Sequence, residues 1–126
     1  MPTTSKYVTS ILTSVKQSLG IVPDYEFFDS QLILYINSVF PTLYELGVGP
    51  ADGFEIEDDT TEWSDFLGYG KLLNQVKAYV CLKVKLLFDP PSSSFAIDAT
   101  ERMLQEMEFR IMALVEPKNR AGNEGV

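Results

Sequence analysis

A chain of 126 residues with 45% hydrophobic side chains can bury an ordinary core in one domain and is too short for two. Its net charge of −8, with no dense basic run, argues against a protein that grips duplex nucleic acid by neutralising phosphates. No histidine occurs, which removes Ser-His and Cys-His catalysis, histidine general bases and histidine metal ligands together.

In chain order, Tyr7, Ile11, Val15 and Leu19 recur every four residues and predict a helix over about Thr4 to Leu19. Gly20 suits its left-handed cap, and Pro23 stops continuation. A second helix is expected from Asp29, as N-cap, towards Leu46, with the stripe Leu32, Ile36, Val39, Leu43 and Leu46 and a stop at Gly47. Pro41 cannot donate to the carbonyl of Asn37, so a kink is expected there, or two shorter helices meeting at Phe40.

Residues 47–61 read as a solvated loop with Gly49, Pro50, Gly53 and the acids Asp52, Glu55, Glu57, Asp58 and Asp59. Phe54 and Ile56 alternate with Glu55 and Glu57, which suits a short extended piece. A helical turn over about Thr61 to Leu67 carries Trp63, Phe66 and Leu67.

The most apolar helix is expected over Lys71 to Phe88, with the stripe Leu73, Val76, Val80, Val84 and Leu87, and it should be central. Asp89-Pro90-Pro91 ends it. One of Ser92, Ser93 and Ser94 then caps a last helix over about Phe95 to Val115, and Asp98 with Glu101 offers a second capping-box start. Ile97, Leu104 and Ile111, with Met107 and Leu114, keep heptad spacing along it, and Glu106 stands i,i+4 to Arg110. From Glu116 the sequence turns polar and Gly-rich, so residues 117–126 are expected to form a flexible tail. The expected fold is therefore all-α. It has one domain over residues 1–116, about four to five helices with two long core helices, and an acidic loop between helices 2 and 3.

No run is apolar enough to span a bilayer, because Lys83 and Lys85 interrupt the best one, Ala78 to Phe88. Thr9, Ser10, Thr13 and Ser14 break up any signal-peptide core, so the chain is expected to be soluble and to stay where it is made. Charge is unevenly placed: between Gln17 and Gly70 there is no Lys or Arg, and all ten basic residues lie outside that stretch.

None of the candidate chemistry is strong. The acids of the loop do not follow the calcium-loop spacing of alternating acids, central Gly and terminal Glu. Asp58 and Asp59 are adjacent, but nothing near them in sequence would desolvate one and raise its pKa for acid–base work. Neither Gly47-Val48-Gly49 nor Gly68-Tyr69-Gly70 is followed by the Lys-Ser or Lys-Thr of a phosphate loop. Cys81, between Val80 and Leu82, reads as a small buried hydrophobe rather than a reactive thiol. No catalytic residue, metal ligand or cofactor is assigned. Trp63 is either a partner anchor or a lid on the core, and the core reading is preferred because isolated apolar turns usually pack inward. Six Tyr, eight Phe and one Trp are many for a small helical domain and leave apolar surface for neighbouring subunits.

Several stretches, spread in order from about residue 3 to 115, resemble the head–tail connector (adaptor) family of tailed phages. They are Tyr35-Ile36-Asn37-Ser38, Leu46-Gly47-Val48-Gly49, Trp63 with Phe66, Val76-Lys77 with Tyr79-Val80, Phe88-Asp89-Pro90-Pro91 with Phe95, and Glu106 with Glu108-Phe109-Arg110. The helix break at Phe88-Asp89-Pro90-Pro91, followed by a long Glu-rich helix, is the most telling.

The resemblance implies a non-enzymatic structural protein of the virion at the head–tail junction, assembled in the host cytoplasm. It implies a homo-oligomeric ring, usually of twelve copies, beneath the portal protein. Such a ring extends the channel through which DNA passes without sequence-specific binding, and offers a platform to the next neck or tail-completion protein. On that reading the acidic stretch and the more basic remainder supply the two faces of a heterologous contact. Acids at the channel, Asp58 and Asp59 among them, would repel DNA phosphates. Lys118 and Arg120 in the tail would meet an acidic portal surface. The candidate interface residues are thus Asp58, Asp59, Trp63, Phe66, Lys118 and Arg120. The alternative from a different class is an acidic interaction protein outside the virion, a DNA mimic that blocks a nucleic-acid enzyme, for which the stretch without basic residues is the motive.

Overall fold

The fold was analysed in a computed structural model. It describes residues 9–68 and 70–124, with side chains described as far as 115.

Among the described residues five helices follow one another: α1 (Ile11–Ser18), α2 (Asp29–Glu45), α3 (Trp63–Phe66), α4 (Lys71–Phe88) and α5 (Ser94–Glu124). The all-α expectation is met. Among the described residues the only β pairing is an isolated antiparallel bridge between Ser10 and Glu62. Helix α4 is the hub. It packs most extensively on α5, then on α2 and α1, which also touch each other.

Helix α1 starts later than the Thr4 the periodicity suggested. Ser10 is extended, at φ −68° and ψ 133°, and its Oγ accepts from Thr13 N–H at 3.2 Å as an N-cap. The preceding backbone pairs instead with the segment before α3: Ile11 N–H donates to the Thr61 carbonyl at 3.0 Å and Trp63 N–H to that of Thr9 at 2.9 Å. Tyr7 lies outside the described residues.

Both α1 and α2 end on the expected glycines. After α2, Gly47 at φ +97° donates to the Tyr44 carbonyl and Val48 to that of Leu43, both at 2.9 Å. Gly20, at φ +78°, and Ile21 make the same two bonds to Gln17 and Lys16. The left-handed turn satisfies the last carbonyls of each helix at no Cβ cost.

Asp29 is the first residue within α2 rather than its N-cap, which is Phe28. The carboxylate is used elsewhere. Its Oδ1 lies 2.8 Å from Lys16 Nζ, and Lys16 also donates to the Pro23 carbonyl at 2.8 Å. Lys16 is 2% exposed, so this charge is buried with its partners and ties α1, the 20–28 connection and the start of α2 together. Helix α2 then continues through Pro41 as one element, so the two shorter helices meeting at Phe40 are not seen. Proline deletes one donor, and the packing of Val39, Phe40 and Leu43 on both sides of it holds the helix together.

The core follows most of the predicted stripes, with Leu19, Leu46, Ile97 and Leu114 half-buried at their ends. Leu32, Ile36, Val39 and Leu43 of α2, Leu73, Val76, Val80 and Val84 of α4, and Leu104, Met107 and Ile111 of α5 are all buried. Leu87 is exposed, and Tyr79 takes the buried place on α4 that the stripe did not include. Tyr79 can be buried because its hydroxyl donates to Glu108 Oε2 at 2.6 Å on the neighbouring α5. Burial first, then the Glu108 hydrogen bond and charge, push its pKa above the usual phenol value. Ser93 caps α5, its Oγ accepting from Ala96 N–H at 3.1 Å. The helical backbone runs on to Glu124, beyond the Val115 at which the pattern was expected to end.

Candidate functional site

The loop between α2 and α3 has a definite structure. Its apolar residues are inserted into the domain: Val48 and Ile56 are buried, and Phe54 stacks with Phe40 and Phe66, with centroids 5.1 and 4.9 Å apart. The extended piece expected around Phe54–Glu57 forms no strand. Its backbone is met by a side chain instead: Ile56 N–H donates to Asn37 Oδ1 at 2.8 Å, and Asn37 Nδ2 donates to the Ile56 carbonyl at 3.0 Å. Asn37 thereby does for one residue what a neighbouring strand would do.

Anchoring Phe54 and Ile56 turns Glu55 and Glu57 between and beside them outward. Asp52, Glu55, Glu57, Asp58 and Asp59 are all exposed, and together they form an acidic ridge. At its crest Asp58 Oδ1 accepts from the Thr60 hydroxyl at 2.6 Å and from Thr60 N–H at 2.9 Å. Those two bonds, the hydroxyl first, hold the Asp58 carboxyl below the usual carboxylate value. Asp58 is thus charged throughout the neutral range. Under the ridge, a groove of about 420 Å³ runs between the second half of α2 and the loop, floored by Phe40, Phe54 and Phe66 and rimmed by Tyr44, Asp52 and Glu55.

Trp63 and Phe66 sit elsewhere than an exposed anchor would. Trp63 is 2% exposed and Phe66 7%. The indole Nε1 donates to Ser14 Oγ at 3.0 Å, fastening α3 over α1. Phe66 also forms part of the floor of the groove beside α2. Asp58 and Asp59 are on the surface, as an interface would need. The side chains of Lys118 and Arg120 lie outside the described residues.

A second surface went unnoticed in the sequence. Lys71, Asn74 and Gln75 of α4 and Arg110, Ala113 and Leu114 of α5 line a shallow groove of about 400 Å³. Each triplet has i, i+3, i+4 spacing, so each occupies one helix face. That regularity is visible in the sequence, but only the antiparallel packing of α4 on α5 brings the two faces together. The polar lining consists of an ammonium, a guanidinium and two amides, all of which can donate to carboxylates. Among the described residues, Arg110 makes an exposed contact to Glu106, 3.7 Å away.

Large apolar side chains are also left in solvent. Phe27, Phe95 and Phe109 are each more than three-quarters exposed. Phe27 belongs to an aromatic cluster with Tyr25 and Phe28 that reaches Phe88 at the end of α4.

Among the described residues no group of three or more His, Cys, Asp or Glu side chains is placed to hold a metal ion. Burial raises the pKa of the Cys81 thiol, with smaller opposing effects from Ser18 and Lys77. No described helix is long and apolar enough to cross a membrane. The arrangement is that of a small helical module whose distinctive features are surfaces: an acidic ridge, a donor-lined groove and exposed aromatics.

A family model described as phage connector protein matches residues 11–118, from the first residue of α1 into the last helix. The chain therefore belongs to the phage connector protein family, a structural family of the phage head–tail connector. No curated protein and no solved structure matches it.

Proposed function

We propose that this chain is a subunit of a ring at the head–tail junction. There it docks beneath the portal protein, continues the DNA channel and presents a platform to the next neck or tail-completion protein. The observation that carries this reading is the family match over residues 11–118. Two features of the surface support it. A ring subunit must present two different faces to its neighbours, and the ridge and the α4/α5 groove differ in charge and shape. Exposed aromatics such as Phe27, Phe95 and Phe109 suit a subunit that loses solvent on assembly. Residues 117–126, with Lys118 and Arg120, are proposed as the segment that meets the portal.

Deletion of the gene from the parent phage tests this role. The expected result is accumulation of heads and tails that do not join, with joining restored by the gene in trans. Normal yields of joined, infectious particles would overturn it.

A further inference from the structure

We propose that the acidic ridge of one copy seats in the α4/α5 groove of the next, so that the two surfaces are the halves of one heterologous contact. The proposal rests on the ring reading above and names the surfaces that build it.

Charge complementarity is the first argument. The ridge places five carboxylates on one loop within a stretch that holds no Lys or Arg. The groove is mainly apolar, formed by Ala113, Leu114 and the side-chain stems around them, and Lys71, Arg110, Asn74 and Gln75 supply four side chains that can donate at it. Carboxylates opposite a guanidinium and an ammonium make charge-assisted hydrogen bonds, and the amides take the remaining lone pairs.

Preorganisation is the second. The ridge does not have to be ordered on binding, because the Asn37 clasp and the stacking of Phe54 on Phe40 and Phe66 already fix its backbone. The groove lies between two long helices whose packing is settled by Leu73, Val76, Met107 and Ile111. No ridge residue lines the groove, so one chain carries both halves without joining them. A contact of this kind leaves a free half at each end, which is what a ring or a stack requires.

A cysteine pair tests the contact directly. In a Cys81→Ala background, Asp59→Cys on the ridge and Gln75→Cys at the groove are introduced together, and particles of the parent phage carrying this chain are oxidised. A ladder of disulfide-linked multimers on a non-reducing gel is expected, with each single-cysteine variant giving dimer at most. Particles that contain the chain but yield no ladder, or a disulfide closed within one chain, would overturn the contact while leaving the connector reading intact. Absence of the wild-type chain from particles would instead contradict the connector reading. The same pair oxidised in concentrated purified protein then decides the contact, a ladder supporting it and monomer alone overturning it.

Charge exchange supplies the second arm. Lys71→Glu with Arg110→Glu is expected to abolish incorporation into particles. Adding Glu57→Lys and Asp59→Lys in the same chain is expected to restore it. These substitutions keep Asp58 and Thr60, whose side chains make the turn around position 59, and Glu at the first turn of α4 suits the helix dipole. Failure of the fourfold variant to recover, with an unchanged melting transition, would also overturn the contact.

Discussion

The side-chain amide of Asn37 satisfies both backbone groups of Ile56, accepting from its N–H at 2.8 Å and donating to its carbonyl at 3.0 Å. One residue of α2 thereby holds the middle of a loop nineteen positions away in sequence. It also determines which side chains of that loop face inward and which form the ridge.

Asn37→Ala leaves a buried donor and acceptor without partners and is expected to cost about 1–3 kcal/mol. Ser38→Ala, one position along, removes only an exposed bond to the Tyr35 carbonyl and is expected to stay within about 0.5 kcal/mol. Chemical denaturation measures both. Hydrogen exchange at the Ile56 amide should accelerate in the first variant and not in the second.

The pair Lys16–Asp29 should respond unevenly to loss of either partner. Asp29→Ala leaves an ammonium that is almost fully buried with the Pro23 carbonyl for company, and a loss of about 3–5 kcal/mol is expected. Lys16→Met leaves the more exposed carboxylate behind, and a smaller loss of about 1–3 kcal/mol is expected. Equal losses in a denaturation series would show that the burial of Lys16 does not set the cost.

Tyr79 links stability to alkaline pH. Its folded pKa lies above the ordinary 10.0, so above that pH the unfolded chain releases a proton that the folded chain keeps. The contribution is complete below about pH 10 and declines as pH rises from there. Tyr79→Phe should lose about 1 kcal/mol near neutrality, through the missing bond to Glu108, and should flatten the alkaline decline. Melting curves of the two proteins across the alkaline range check both effects.

Gly47 and Gly20 share a turn conformation but not a neighbourhood. A Cβ on Gly47 would stand 3.0 Å from Val115 Cγ1 of α5, whereas one on Gly20 would meet nothing within 4 Å. Both alanine variants carry the strain of positive φ, about 1–2 kcal/mol. Gly47→Ala should lose more than Gly20→Ala in thermal melting, because Val115 must also give way.

The helices were legible in the sequence because their signals are local. The stripes of α2 and α4, the glycine stops and the Asp89-Pro90-Pro91 break each lie within a few residues of what they determine. Other features depended on partners far along the chain. Helix α1 begins at Ile11 because Thr9 and Ser10 pair with Thr61–Trp63, which periodicity around Tyr7 does not reveal. The burial of Tyr79 required Glu108, and the order of the acidic loop required Asn37. The acids of the ridge were plain in the sequence. The groove was not, since Lys71 and Arg110 come together only when α4 and α5 pack.

The account stands most directly on where this chain is found in the particle. Immunogold electron microscopy on the parent phage, with antibody to this chain, should place label at the head–tail junction. Particles free of label from a lysate that contains the protein would contradict the connector role. They would turn attention to an acidic protein acting outside the virion as a mimic of DNA.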